Sequence, residues 1–431
     1  MKAIRIIILA ASVGFMTVAC NSSSSEPEVP VENSSEPEVP VESSEEQMVF
    51  YEDPETPCVL SETQKQQIAS INSFAFAFAS KLDGRMGTAE YVFSPMSMAF
   101  LMGMLSEGAA GDTRDEICSA LGFGAQGQNE FNKFCKEIMA LTSKSQQGEV
   151  LEIANTAIVQ NRFTMLDTYR QRAGDYYGAL TVNMDFANDN VLDYINNWAS
   201  EKTHGMIPKV LDQFDPSWLA VFMNALYFKA EWQYRFPVEF SSSRPFTGAD
   251  GKKRKEVTMA MIEKAQYAKK DGFSALRMKY GRNGTPGNYS MVLLLPAEGS
   301  TVSKVLNSLN SQLWADILSS LNKQKVDIMI PRFNISTNNN VSDILMDLGV
   351  KKIFNSGDFS NMCEEELRII TIKQLAKISV QEKGTEAAAV SVAIGDGANF
   401  EQCPEFHADR PFVFAITEDS TGSILFIGSY K

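Results

Sequence analysis

The sequence predicts an α+β fold. From about residue 56 onward, apolar residues recur at helical spacing early in the chain. Short apolar runs bounded by proline or turn residues crowd its last third. No repeating strand–helix rhythm connects the two regions. The 431 residues are 44% hydrophobic and 21% charged, an ordinary globular composition that allows a large core. The formal net charge of -14 argues against nucleic acid or anionic headgroups as partners, although part of it comes from one acidic N-terminal tract.

The elements follow in order. Ile68 to Ala79 has helical apolar spacing. Ser94-Pro95 opens a second helix, with serine suited to the N-cap and proline to the first turn. Met98, Leu101, Met102 and Leu105 form its core face, and Gly108 ends it. Thr113 to Glu116 reads as a capping box for a third helix that buries Ile117, Ala120 and Leu121 and stops at Gly122. Val191 to Lys202 is a further helix. Leu219 to Phe228 reads as a strand buried on both faces. Met291 to Leu295 and Val326 to Ile330 are strand-like, each running into proline. Phe412 to Ile416 and Ile424 to Ile427 read as hairpin strands around Glu418–Ser423.

The first 55 residues are an address and a spacer. Lys2 and Arg5 precede the apolar run Ile6 to Val18, which is too short to span a bilayer and suits a signal peptide. Thr17-Val18-Ala19 before Cys20 resembles a bacterial lipobox, with Thr17 where leucine is commoner. That resemblance implies a leader over 1–19 and a lipidated Cys20 that anchors the chain to a membrane of the cell envelope. Residues 20–55 then form a tether. SSEPEVPVE occurs twice, at Ser24–Glu32 and Ser34–Glu42, and so polar a stretch buries too little to offset its ordering entropy. Proline and like charge keep it extended. The globular domain is expected over 56–431.

Catalytic signals are thin. The two histidines are His204, at a helix end, and His407, in a loop of Pro, Glu and Phe; both read as surface residues. No GxSxG, Walker or HExxH motif is present. Cys58, Cys118, Cys135, Cys363 and Cys403 show no paired short spacing, so no metal site and no cofactor is expected, and no disulfide pairing can be assigned. These features predict a protein that is not an enzyme.

Residues 381–399, QEKGTEAAAVSVAIGDGAN, are the informative segment. As a strand, one face carries Thr385, Ala387, Ala389, Ser391, Ala393 and Gly395, all small. The other carries Glu386, Ala388, Val390, Val392, Ile394 and Asp396. An all-small face fits between existing strands without overpacking, and β-branched neighbours favour the extended state. Gly395-Asp396-Gly397-Ala398 instead suits an exposed loop. The segment reads as built for two states, loop and strand; by this parity alone an ordinary Ala/Val helix or linker is as good a reading.

Glu382-Lys383-Gly384-Thr385-Glu386-Ala387-Ala388-Ala389 resembles the hinge of inhibitory serpins. Ala408 to Phe414 and Leu425 to Gly428 resemble that family's C-terminal signature. Phe93–Ser97 with Gly108–Thr113, Ile195–Trp198 with Thr203–Ile207, and Asn224–Trp232 match further serpin segments, in order, across about residues 60–431. The resemblance implies three β-sheets, about eight or nine helices and an exposed reactive-centre loop. It also implies a mechanism. A target peptidase attacks the bait bond, and the loop inserts into a metastable main sheet and traps the covalent acyl complex.

The same resemblance assigns residues. Counting seventeen from Glu382 puts the reactive bond between Ala398 and Asn399, with Phe400 as the alternative. No Lys or Arg lies between Lys383 and Arg410, so elastase-like or other small-residue-cutting peptidases are favoured, of serine or cysteine type, with chymotrypsin-like ones second. Glu382, Arg332 and Trp232 form a latch where the loop enters, with arginine in place of the family's usual lysine offering a bidentate fork. Ser94, Ser97, Asn224 and Gln374 form a cluster under the sheet opening. Gln374 stands where the family has histidine, so it could bond Asn224 but cannot titrate, and opening should depend less on pH. A monomer is expected. The alternatives are a non-inhibitory serpin used for binding or scaffolding, and a hydrolase on another fold.

Overall fold

The computed structural model describes residues 60–124, 127–142, 149–364, 372–385 and 403–431. Leader, Cys20, tether, Cys58, hinge residues Glu386, Ala387, Ala388 and Ala389, and bait residues Ala398, Asn399 and Phe400 lie outside them.

Helix α1 (Glu62–Met86) extends well beyond the expected Ile68–Ala79 stretch. Ser61 caps it: its hydroxyl accepts from the Gln64 amide, and the Gln64 side chain accepts from the Ser61 amide. Strand β1 (Tyr91–Phe93) leads into α2 (Pro95–Gly108), whose fourteen residues are all buried. Ser94 caps α2 through the Ser97 amide, as the Ser-Pro pair predicts.

The capping box at Thr113 does not form. Helix α3 (Gly111–Ala120) begins two residues earlier, with no side-chain cap. Thr113 instead accepts from the amide of Asp358, and Glu116 accepts from the amides of Lys351 and Lys352. Both side chains tie α3 to a neighbouring segment, so tertiary contacts took the groups that local sequence offered to the cap.

The chain continues through α4 (Gln128–Thr142), β2 (Glu149–Gln160), α5 (Asp167–Tyr177), β3 (Ala179–Met184), α6 (Asn190–Lys202) and β4 (Ala220–Glu231). Strands are therefore not confined to the later chain. Next come β5 (Ser242–Thr247), β6 (Lys253–Lys270), β7 (Phe273–Arg282), β8 (Thr285–Pro296), α7 (Val302–Ser308), α8 (Ser311–Ser320), β9 (Asn322–Pro331) and β10 (Phe333–Asn340). Two short helices follow, α9 (Ser342–Asp347) and α10 (Lys352–Asn355), then β11 (Lys373–Gln381) and β12 (Gly384–Thr385). The chain closes with β13 (Glu405–His407), β14 (Phe412–Glu418) and β15 (Ile424–Tyr430).

Among the described residues the strands form two sheets. One has six strands in the order β10-β11-β12-β4-β2-β3. The other has nine, because the 18-residue β6 pairs in turn with β5, β9 and β7 and joins regions expected as separate sheets. Its central strands β14 and β15 are almost wholly buried, as is β8 from Tyr289 onward. α6 lies over the six-stranded sheet, packing Val191, Ile195 and Trp198 with Ile158 and Ala225 of β2 and β4. Strand β4 is only half-buried from Ala220 to Met223 rather than buried on both faces, since one flank opens toward β11.

No described helix is long and apolar enough to cross a membrane.

Candidate functional site

The site lies in the six-stranded sheet, between β4 and β11. The two strands are joined at one end by β12 alone. Gly384 pairs with Gln381 on one side and Glu231 on the other, and Thr385 pairs with Val380 and Ala230. Beyond Thr385 no ladder connects β4 to β11 among the described residues, so two nine- to twelve-residue strands flank a slot with a two-residue strand in its mouth. Because alternate residues along each strand point their N–H and C=O groups at the missing neighbour, such facing edges favour addition of a strand. Beside the slot, an apolar cavity under α6 is lined by Trp198, Leu211, Trp218, Met223 and Leu375.

The mouth is closely fitted. Gly384 has φ +151°, and a Cβ there would lie 2.1 Å from the carbonyl oxygen of Ala230, so only glycine admits this approach. Thr385 is 1% exposed, and its Oγ1 lies 2.7 Å from the hydroxyl of Tyr280, itself fully buried. Tyr280 stacks on Trp232 with centroids 4.5 Å apart and planes 6° apart. The Trp232 indole donates to the carbonyl of Gln381 (2.9 Å) and its amide to that of Lys383 (2.7 Å). Trp232 thus holds the turn that feeds β12.

The latch residues meet. Arg332 Nε donates to Glu382 Oε1 at 2.7 Å, Arg332 Nη2 grips the same oxygen, and Ser241 Oγ donates to it at 2.6 Å. This corrects the expected two-oxygen fork: both guanidinium nitrogens and the Ser241 hydroxyl converge on the one oxygen Oε1. Burial pushes the Glu382 carboxyl up, but the hydrogen bonds from Arg332 and Ser241 outweigh it and hold it below its ordinary value.

Under the slot, Ser94, Ser97, Asn224 and Gln374 also lie together, with one correction. Gln374 does not bond Asn224. Its amide donates to the Ser94 carbonyl (2.7 Å) and its Oε1 accepts from the Ser94 amide (3.3 Å), a paired bond to backbone that uses both ends of the carboxamide. Asn224 instead accepts from Ser97 and donates to Asn155 Oδ1 at 2.6 Å, and Asn155 donates to the Tyr177 carbonyl.

Three members escaped sequence reading: Asn155, Tyr280 and Glu149. Glu149 opens β2 opposite Ala230, the residue that pairs with Thr385. It is 1% exposed, and burial pushes its carboxyl up to about 7 against the Asn288 and Tyr289 amides that favour the ion. Gly287 permits this approach, since a Cβ there would lie 1.9 Å from Glu149 Oε1. Glutamate at a strand end carries no signal that it will be buried. His204 is exposed, with Nε2 3.0 Å from Glu152. His407 sits on β13, not in a loop, and pairs with Asp327 at 3.0 Å. Cys118, Cys135, Cys363 and Cys403 are free thiols, and no metal-binding cluster occurs among the described residues.

The family model described as serpin, serine protease inhibitor, matches residues 69–431. The chain is a serpin. It is 31% identical over 347 residues to Iripin-2 of Ixodes ricinus, covering 78% of this chain and 86% of the relative. It is 30% identical over 380 residues to an uncharacterized serpin-like protein of Thermococcus kodakarensis, covering 86% and 87%. The native-state crystal structure of the thermophilic serpin Tengpin superposes with a TM-score of 0.78 at 27% identity, covering 86% of this chain and 94% of that one. These relatives come from a tick and an archaeon as well, so the match carries the family and its fold, not a bacterial source or a lipid anchor. The expectation that the chain is not an enzyme is corrected to a narrower statement. The match describes a family of protease inhibitors, and it does not reach to catalysis in this particular serpin.

Proposed function

We propose that this serpin inhibits serine peptidases by a suicide mechanism, with cleavage of its bait loop followed by insertion of the loop between β4 and β11. One observation supports this above the others: Gly384 and Thr385 already occupy the mouth of the slot and pair with both flanking strands. The residues that follow in sequence carry the all-small face a deeper strand needs. In this reading the peptidase serine attacks the Ala398 carbonyl and the amine of Asn399 leaves with a proton, so the chain is held as an ester. Insertion then adds a ladder of roughly ten backbone hydrogen bonds, about 0.5–1.5 kcal/mol each, for a total on the order of 5–15 kcal/mol. That matches the stability of a whole domain, which is the scale required to deform a docked peptidase.

Elastase-like peptidases are the favoured targets, because the segment from Gly384 to Asp409 has no Lys or Arg. The reading also has residues 1–19 removed, Cys20 lipidated and residues 20–55 holding a monomeric domain away from the membrane of a bacterial cell envelope. It rests on Lys2, Arg5, the apolar run from Ile6 and the repeated SSEPEVPVE. The test is incubation with pancreatic elastase. A band at the summed mass that survives SDS, with a released fragment beginning at Asn399 or Phe400, supports the proposal. Complete cleavage with no such band favours a binding or scaffold role, and a new N-terminus well before Gly395 removes the bait-bond assignment.

A further inference from the structure

A second site lies away from the slot, among α2, α3, α4 and α5. These helices enclose a cavity of about 400 Å³ with a mainly polar lining. Glu107 reaches it from α2, Arg114 from α3, Gln128 and Asn129 from α4, and Tyr169 and Arg172 from α5. The side chains beneath it are saturated with one another. Gln128 Oε1 accepts from Ser106 (2.8 Å) and Cys118 (3.2 Å), and its amide donates to Asn132 (2.9 Å). Asn132 donates to Glu107 Oε1 at 2.6 Å, and Arg172 grips Glu107 Oε2. Both oxygens of Glu107, the one carboxylate among the described lining residues, are therefore engaged.

Arg114 is left over. It is half-buried, its Nε is shut off from solvent with no hydrogen-bond partner, and no ion pair of its guanidinium occurs among the described residues. Among the described residues lining the cavity, no carboxylate other than Glu107 is present to take its place. Burial pushes the Cys118 thiol up to about 12 against the opposing pull of Arg114, so it stays neutral, and Tyr169 is a buried neutral phenol. Among the described lining residues, two guanidinium groups thus stand against one carboxylate, inside a chain whose overall charge is -14. An unpaired buried donor costs free energy that a ligand can recover.

We propose that this cavity binds a small organic carboxylate, held by the free guanidinium fork of Arg114. A planar carboxylate matches that fork, the single uncompensated charge calls for a monoanion, and Leu166 and the ring of Tyr169 offer an apolar wall for its body. The volume falls within the range of small-molecule sites.

The experiment titrates the full chain with benzoate at constant ionic strength, by calorimetry and by thermal unfolding, with neutral benzamide as the control. Saturable benzoate binding with a raised Tm, and none with benzamide, is the expected result. Arg114→Gln abolishes it, and Arg114→Lys, which keeps the charge but loses the fork, weakens it about tenfold or more and covers the case in which the glutamine variant fails to fold. Arg244→Gln, which removes another half-buried guanidinium whose Nε is unbonded, leaves binding unchanged. Absence of saturable binding, an equal response to benzamide, or undiminished binding by Arg114→Lys together with Arg114→Gln would overturn the proposal.

Discussion

Replacing Thr385 by arginine strikes the mouth of the slot most directly. The native side chain is 1% exposed and bonded to Tyr280 at 2.7 Å. The nearby carboxyl of Glu149 already accepts from the Asn288 amide and is pushed up by burial, so the new guanidinium is a buried, poorly compensated charge that costs several kcal/mol. Loss of the Tyr280 bond adds about 1–3 kcal/mol, because the phenol is left unsatisfied. Each 1.4 kcal/mol is a factor of ten in the equilibrium, so β12 leaves the sheet in nearly every molecule. Trp232 reports this, since its indole donates to Gln381 and stacks on Tyr280. We expect a shift in tryptophan emission, loss of amide protection at Gly384 and Thr385, and elastase cleavage without a trapped complex. Gly384→Ala reaches the same end without a charge, by placing a Cβ 2.1 Å from the Ala230 carbonyl oxygen. Full-strength covalent complex from both variants would refute the reasoning that entry of the hinge begins at these two residues.

Other consequences follow from the same contacts. Glu382→Lys sets a cation beside Arg332 and removes the acceptor of three hydrogen bonds, so the variant should polymerise on mild heating in native gels while the parent does not; equal polymerisation would show the latch is idle. Glu149 has a folded pKa of about 7 against an ordinary 4.5, so the folded state binds the extra proton and stability falls as pH rises between those values, by roughly 3 kcal/mol in all. Asp419, Glu418 and Tyr289 face it, and none is a cation. Urea unfolding of Glu149→Gln should therefore show a flatter pH dependence than the parent over pH 4.5 to 7, and an unchanged slope would discount this group. Lys431 pairs with Asp83 at 2.7 Å with both side chains under 5% exposed, so Lys431→Met should lower the unfolding free energy by about 3–5 kcal/mol in chemical denaturation.

Much of this was legible in the sequence where local chemistry and tertiary structure agree. Ser94-Pro95 caps a helix because the cap needs only three neighbouring residues. The small residues after Gly384 suggested a strand, and its first two residues are one. Glu382, Arg332 and Trp232 were gathered by family resemblance, since fifty and more residues separate them and spacing alone says nothing. Legibility failed where a side chain had a choice of partners. Thr113 and Glu116 have the spacing of a capping box, yet they bond Asp358, Lys351 and Lys352. Gln374 and Asn224 were both competent to bond each other, and backbone at Ser94 won one of them. Tyr280 and Glu149 lie in strands whose patterns mark them as ordinary polar or aromatic positions, and only the fold brings them to the slot. Gln374 cannot titrate, but Glu149 restores a proton-linked group beside the slot mouth, which composition could not foretell.

The central claim is that the loop becomes a strand between β4 and β11 after cleavage, and hydrogen exchange reads this directly. The slot-facing amides of Ala220–Lys229 and Lys373–Ser379, beyond the reach of β12, should exchange readily in the intact chain. After elastase cleavage between Gly395 and Phe400, exchange there should slow by orders of magnitude, and the unfolding temperature should rise. Unchanged exchange along both strands in the cleaved chain would contradict the account.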